Sequence, residues 1–203
     1  MKIIDLKLAR QHQIKLEFDN GESLLVDKET AARFGLKKDM QIDNDLRERL
    51  VYDSAFTRAK SKAIYLLSNR EYSAKEMTER LLRDGFDKDA VKSAVELLAD
   101  AGVIDDERFA ENFAYSLHEG RKLGYYAIMR ELTLKGVDRE IAERHASVYK
   151  EDETETAKQI ILSKYPAFDT DEKIKRRMYS ALQRKGYSFS TINSAIEQIT
   201  SEQ

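Results

Sequence analysis

Three glycines punctuate the later part of this chain: Gly85, Gly136 and Gly186, separated by 136 − 85 = 51 and 186 − 136 = 50 residues. The same pattern surrounds each one. Four residues earlier stands Leu81, Leu132 or Leu182; one residue later stands Phe86, Val137 or Tyr187; two later stands Asp87, Asp138 or Ser188. Glycine enters the left-handed region that closes a helix without a Cβ clash, and the next apolar residue packs back on the helix just ended. The Asp or Ser then stands where the following helix needs a side-chain acceptor. An apolar face follows at a constant distance. It is Val91, Ala94, Val95 and Leu98 after Gly85, and Ile192, Ala195, Ile196 and Ile199 after Gly186, both at i, i+3, i+4, i+7. Ala142, Ala146 and Tyr149 form the corresponding face after Gly136. Three copies of one such pattern define an internal repeat.

Each repeat has a further helix ahead of that pair. In the first, Ala55, Ala59 and Ala63 lead to Leu66 and Leu67, a turn follows at Asn69 to Tyr72, and Ser73 with Glu76 reads as a capping box. In the second, Asp105-Asp106 caps a helix carrying Phe109, Phe113 and Leu117, and Gly120 and Gly124 bracket the next turn. In the third, Ala157, Ile160 and Ile161 mark a helix that Tyr165-Pro166 ends, and Asp169 and Glu172 cap its successor. The acidic run Glu151 to Glu155 reads as a solvated join between the second and third repeats.

The helical period begins at Ser54, and the residues before it follow a different one. Ile14, Leu16 and Phe18 alternate with polar neighbours, Asn20-Gly21 supplies a tight turn, and Leu24 to Val26 resumes the apolar pattern, with Ile3 to Leu8 as a third strand. Lys28 to Phe34 reads as a short helix ended by Gly35. The expected fold is therefore mainly α: a small β-rich module over 1–53, then three-helix repeats over 54–104, 105–150 and 151–203 in a tandem array.

Composition narrows the chemistry. The chain has no cysteine, which excludes disulfides, thiol catalysis and thiolate metal sites. No apolar run is long enough to cross a bilayer and residues 1–10 lack a signal-peptide core, so a cytoplasmic protein with no membrane partner is expected. His12, His118 and His145 fall in separate segments without ligand spacing, and no phosphate loop or nucleophile motif is present, so no catalytic residue, metal or cofactor is expected. His145 reads as a packed or half-buried histidine. Net charge is −2, so any contact with nucleic acid must come from a local cluster. The stretch from Lys173 to Lys185 is that cluster: it holds Lys173, Lys175, Arg176, Arg177, Arg184 and Lys185 and no acid. Arg130 is a candidate addition, as are Tyr125 and Tyr126, whose rings beside Arg121 and Lys122 could stack on a base or pack a helix start.

These residues resemble the RecX family. The resemblance rests on Leu67, Arg70, Tyr72, Ser73 and Glu76, then Gly102, Ile104, Asp105, Asp106, Arg108, Phe109 and Ala110. It continues with Gly124, Ile128, Glu131, Leu132, Lys135 and Gly136, and ends with Leu182, Arg184, Lys185, Gly186 and Tyr187. The matching stretch is 54 to 200. The resemblance implies a curved, elongated helical protein without catalytic residues, a monomer seated in the groove of a RecA–DNA filament. There it would modulate, most often inhibit, ATP hydrolysis, strand exchange and filament growth in recombination, DNA repair and the SOS response. Contact with single- or double-stranded DNA would be direct but weak. Two other classes fit the pattern more loosely: a helix-turn-helix DNA-binding regulator and a helical scaffold for another protein. Against the first, Ser190 to Ile199, where a recognition helix would lie, has no basic residue.

Overall fold

The N-terminal alternation becomes a three-stranded antiparallel sheet in the order β1 (Ile3–Leu8), β2 (Gln13–Phe18), β3 (Ser23–Asp27). The computed structural model describes residues 1–9 and 12–201. Leu6, Leu16 and Leu24 stand opposite one another, and that face buries Leu16 and Val26. The opposite face carries an ion-pair ladder in which Lys7 and Lys15 lie 2.9 and 3.1 Å from Glu17. Gly21, at φ +83°, closes the β2–β3 hairpin. Helix α1 (Lys28–Arg33), capped by Asp27, ends at Gly35 as its sequence requires.

Helix α2 runs from Asn44 to Leu67 behind an Asp43 cap. It thus starts well ahead of Ser54, where the apolar period pointed. The reason lies in what it touches. Its first half sends Leu50 into the core beneath the sheet, while its second half sends Ala59, Ala63 and Leu66 into the core of the first repeat. Between them the stripe turns polar. The buried Ser54 hydroxyl accepts the Asp27 N–H at 2.7 Å, and Thr57 accepts from Arg33 at 3.1 Å. One helix serving two cores shows no single apolar stripe.

The first repeat is completed by α3 (Ala74–Arg83) and α4 (Lys88–Asp100), within a compact unit covering Met1–Ile104. A second unit begins at Asp105. It contains α5 (Asp106–Arg121), α6 (Tyr125–Leu134) and α7 (Arg139–Ser147), then α8 (Glu153–Lys164), α9 (Glu172–Arg184) and α10 (Phe189–Ser201). Each three-helix set closes its own core, built around Leu81, Leu132 or Leu182, all wholly buried.

The repeated glycine pattern is a Schellman closure made three times. Gly85, Gly136 and Gly186 hold φ of 85°, 82° and 90°. The N–H groups of Phe86, Val137 and Tyr187 reach back to the carbonyls of Leu81, Leu132 and Leu182 at 3.2, 3.2 and 3.1 Å. The glycine N–H groups reach Leu82, Thr133 and Gln183 at 3.0, 2.9 and 2.9 Å, which satisfies carbonyls that the helix end leaves open. Asp87, Asp138 and Ser188 then accept from N–H groups of the next helix, as the spacing predicts.

Two turns differ from expectation. Gly120 lies within α5, and Lys122 takes the left-handed position (φ 48°) while Gly124 stands at the N-terminus of α6. The cap of α9 is Asp171, which accepts from Lys173 and Ile174, rather than Asp169. Asp169 belongs to the turn after Tyr165, too early for its carboxylate to face the free N–H groups. Asp105 caps α5 through the Arg108 N–H at 3.0 Å and Ser73 caps α3 through Glu76 at 3.1 Å, both as read.

Candidate functional site

The basic stretch expected to bind a partner forms α9, and the helix sorts its cations by face. At 100° per residue Lys173, Arg176, Arg177 and Arg184 fall on one side with Ser180, and Lys175 falls toward the side of the buried Met178 and Leu182. Exposure agrees: Lys173, Arg176, Arg177 and Arg184 are exposed and Lys175 is half-buried. Arg176, Arg177 and Arg184 line one crevice of about 380 Å³ with Tyr165, Ser180 and Ala181. Arg176 leans back on Glu172 at 3.5 Å, an exposed pair worth little against solvent.

Lys185 has a different task. Its ammonium donates to the Arg121 carbonyl at the C-terminal end of α5, in a joint between the second and third three-helix sets. Burial, then the neighbouring charges of Lys164 and Arg121, push its pKa down. Backbone continues the joint: the Gly124 N–H donates to the Lys185 carbonyl at 2.8 Å and the Tyr126 N–H to the Gly186 carbonyl at 3.3 Å. The Tyr187 hydroxyl donates to the Lys122 carbonyl at 3.0 Å, and burial, then the nearby Glu153 charge, pushes its pKa up. The two turns meet closely enough that a Cβ on Gly186 would lie 2.3 Å from the Ala127 nitrogen.

Glu153 corrects the reading of the acidic run. It is only 5% exposed and its carboxylate accepts the Tyr125 N–H and, at 3.4 Å, the Thr191 hydroxyl. Gly124 has no side chain to cap α6, so this carboxylate from α8 takes the cap's place and ties α6, α8 and α10 together. Burial raises its pKa, and the two hydrogen bonds oppose that rise. Nothing in the run Glu151 to Glu155 distinguishes the one buried member, because its partners stand 28 and 38 residues away.

The remaining candidates divide. Tyr125 packs at the joint with Lys150 3.8 Å from its ring centre, whereas Tyr126 is exposed and meets it edge-on. Arg130 lies on α6 beside Glu131 at 3.5 Å, away from the α9 crevice lining. His145 is half-buried, as read, and bonds Glu107 at 2.7 Å; that bond and Arg144 hold the Glu107 carboxyl below the usual range. His118 is buried and stacks on Tyr149 at 4.4 Å. Among the described residues no group of three or more His, Asp or Glu side chains could hold a metal ion. No helix among them is long and apolar enough to cross a membrane. In the first unit a crevice of about 600 Å³ is lined by both signs of charge, including His12, Asp27, Lys28, Glu29 and Arg58.

Three residues that the sequence reading left outside the cluster join it in space. Arg121 and Lys122 at the end of α5 and Lys164 at the end of α8 line a crevice of about 290 Å³ with Lys185. Their positions along the chain gave no signal of this convergence, since Arg121 and Lys185 are 64 residues apart.

The fold defines a helical-repeat protein in which a small antiparallel sheet is followed along the chain by three tandem three-helix domains, the last of them carrying a face of exposed cations. Models of the RecX family's first, second and third three-helix domains match residues 59–98, 105–144 and 151–196. The chain is similar to the regulatory protein RecX of Bacillus velezensis, 32% identical over 200 residues covering 96% of this chain and 75% of that one. It is also similar to that of Clostridium perfringens strain 13, 25% identical over 207 residues covering 98% and 96%. A crystal structure of regulatory protein RecX superposes with a TM-score of 0.76 over 97% of this chain and 98% of that one, at 17% identity. RecX from Lactobacillus salivarius gives 0.61 over 72% and 97%, at 21% identity. The chain belongs to the RecX family of regulatory proteins.

Proposed function

We propose that this protein is a non-enzymatic regulator that binds the RecA–DNA filament in the cytoplasm as a monomer, and that it inhibits RecA's ATP hydrolysis, strand exchange and filament extension. Its setting would be recombination, DNA repair and the SOS response. Membership of a family whose relatives are named regulatory proteins supports this reading, and so does a surface that offers cations rather than an enclosed reaction site. The observation that carries it is the exposed Arg176, Arg177 and Arg184 face on the third repeat, suited to phosphates or to an acidic groove of a filament. A recognition-helix reading is weaker, because α10 presents no Lys or Arg between Phe189 and Ser201.

The test is RecA-driven, DNA-dependent ATP hydrolysis with this protein titrated in. Inhibition at substoichiometric amounts is the expected result. The variant with Arg176, Arg177 and Arg184 all replaced by alanine should inhibit less and with a weaker salt dependence, while its circular dichroism matches the parent. No effect across a wide titration overturns the reading; full inhibition by the folded triple variant moves the contact elsewhere.

A further inference from the structure

We propose that Lys185 is a site of acyl transfer: its side-chain amine takes an acyl group from a small acyl phosphate, whose phosphate is seated by Arg121, Lys122 and Lys164 in the crevice beside it. The product is a neutral amide in the joint between the second and third repeats. Nothing in this rests on contact with RecA or with nucleic acid, so it stands or falls apart from the preceding reading.

Geometry singles this lysine out. Lys185 stands just past the last residue of α9, is half-buried, and donates from its nitrogen to the Arg121 carbonyl. It lines the crevice of about 290 Å³ with Arg121 and Lys122 at the end of α5 and with Thr156, Ser163 and Lys164 of α8. Among the described residues no carboxylate lines that crevice. Glu119 pairs with Lys122 at 3.2 Å from outside the lining, and Tyr187, on the turn after α9, commits its hydroxyl to the Lys122 carbonyl at 3.0 Å. Every charged side chain of the lining is therefore a cation, which suits a phosphate dianion. Burial, then the charges of Lys164 and Arg121, push the Lys185 pKa down, so near neutral pH it holds more free amine than an exposed lysine does. Desolvation and a cationic neighbour are the two conditions that make a lysine amine nucleophilic.

The step balances within these parts. Once Lys185 has given its ammonium proton to water, the nitrogen lone pair attacks the acyl carbon and an N–C bond forms. The C–O bond to phosphate breaks, phosphate leaves with that electron pair, and the nitrogen's surplus proton passes to it. Seating the phosphate beside the amine makes the attack effectively unimolecular. The amide keeps one N–H for the Arg121 carbonyl and loses the charge, which ends the crowding with Arg121 and Lys164. A small reagent suits this site better than a modifying enzyme. A nitrogen bonded to a backbone carbonyl inside a crevice cannot reach into another protein's active site, whereas an acyl phosphate of a few heavy atoms can enter the crevice.

The experiment incubates the full chain with acetyl phosphate and follows acetylation of each lysine over time by peptide mass spectrometry. Lys185 should acetylate several-fold faster than the exposed Lys92 and Lys173, and its rate should level off at a lower pH than theirs. Inorganic phosphate should slow the reaction at Lys185 but not at Lys92 or Lys173. It should leave untouched the acetylation of Lys185 by an N-hydroxysuccinimide ester, which carries no phosphate. Arg121→Ala and Lys164→Ala, each with circular dichroism matching the parent, should lower the acetyl phosphate rate at Lys185 several-fold. The proposal is overturned if Lys185 reacts no faster than Lys173, if inorganic phosphate slows all three lysines alike, or if both substitutions leave the Lys185 rate unchanged.

Discussion

Replacing Gly186 with alanine separates two costs that the repeated glycine pattern otherwise combines. Gly85 and Gly186 occupy the same step of the same closure, at φ of 85° and 90°. An alanine at either must hold a left-handed backbone, at a cost of about 1–2 kcal/mol. Around Gly85 a new methyl meets nothing within 4 Å, so strain is the whole penalty there. At Gly186 the same methyl would stand 2.3 Å from the Ala127 nitrogen, 2.6 Å from its Cβ and 2.9 Å from its Cα. Backbone cannot swing aside like a flexible side chain, so the turn and α6 must separate. Overpacking of this kind adds about 1–3 kcal/mol, and parting the turns also stretches the Gly124–Lys185 and Tyr126–Gly186 hydrogen bonds, each worth about 1 kcal/mol. The expected totals are about 1–2 kcal/mol for Gly85→Ala and, if both hydrogen bonds are lost, about 4–7 kcal/mol for Gly186→Ala. Urea unfolding followed by circular dichroism measures both, since the midpoint falls by the lost free energy divided by a slope of about 1–3 kcal/mol per molar. If the two compact units unfold in separate transitions, each variant should move only its own. Equal losses for the two variants would refute the argument that the second and third repeats are joined by backbone contact at Gly186.

Glu153 gives a prediction in pH. Its pKa is raised in the folded chain, so the protonated form is favoured by folding. The resulting stability is fully present below the ordinary glutamate value of 4.5 and is lost as pH rises through the folded value. Glu153→Gln should therefore flatten the fall in stability between those values, and a pH series of urea midpoints parallel to that of the parent counts against it. Glu153→Ala instead strands the Tyr125 N–H and should cost about 1–3 kcal/mol at neutral pH. Tyr187→Phe removes only the bond to the Lys122 carbonyl while keeping the ring in its core; thermal unfolding should register a loss of about 1 kcal/mol.

What could be read from the sequence follows the range of the interaction concerned. Helix closures, caps and the hairpin turn are made by residues within six positions of one another, so Leu81 with Gly85 and Phe86, or Asp105 with Arg108, announce themselves as patterns. Errors of two residues arose even at this range, where more than one nearby residue could serve: Asp171 is the cap rather than Asp169, and Lys122 takes the left-handed position rather than Gly120. That one helix gathers Arg176, Arg177 and Arg184 was also legible, whereas the bond from Lys185 to the Arg121 carbonyl and the half-buried position of Lys175 were not.

The sequence alone therefore determined that the chain is a sheet followed by three copies of one helical unit, because each unit is specified by its own short-range hydrogen bonds and apolar period. Only the tertiary structure decided which members of charged runs matter. Glu153 leaves solvent because Gly124 offers α6 no cap, and Lys164 joins Arg121 and Lys185 because two repeats close on a pair of glycine turns. Charge carries no period that marks its destination: a carboxylate or an ammonium is placed by what packs beside it, and those neighbours are dozens of residues away.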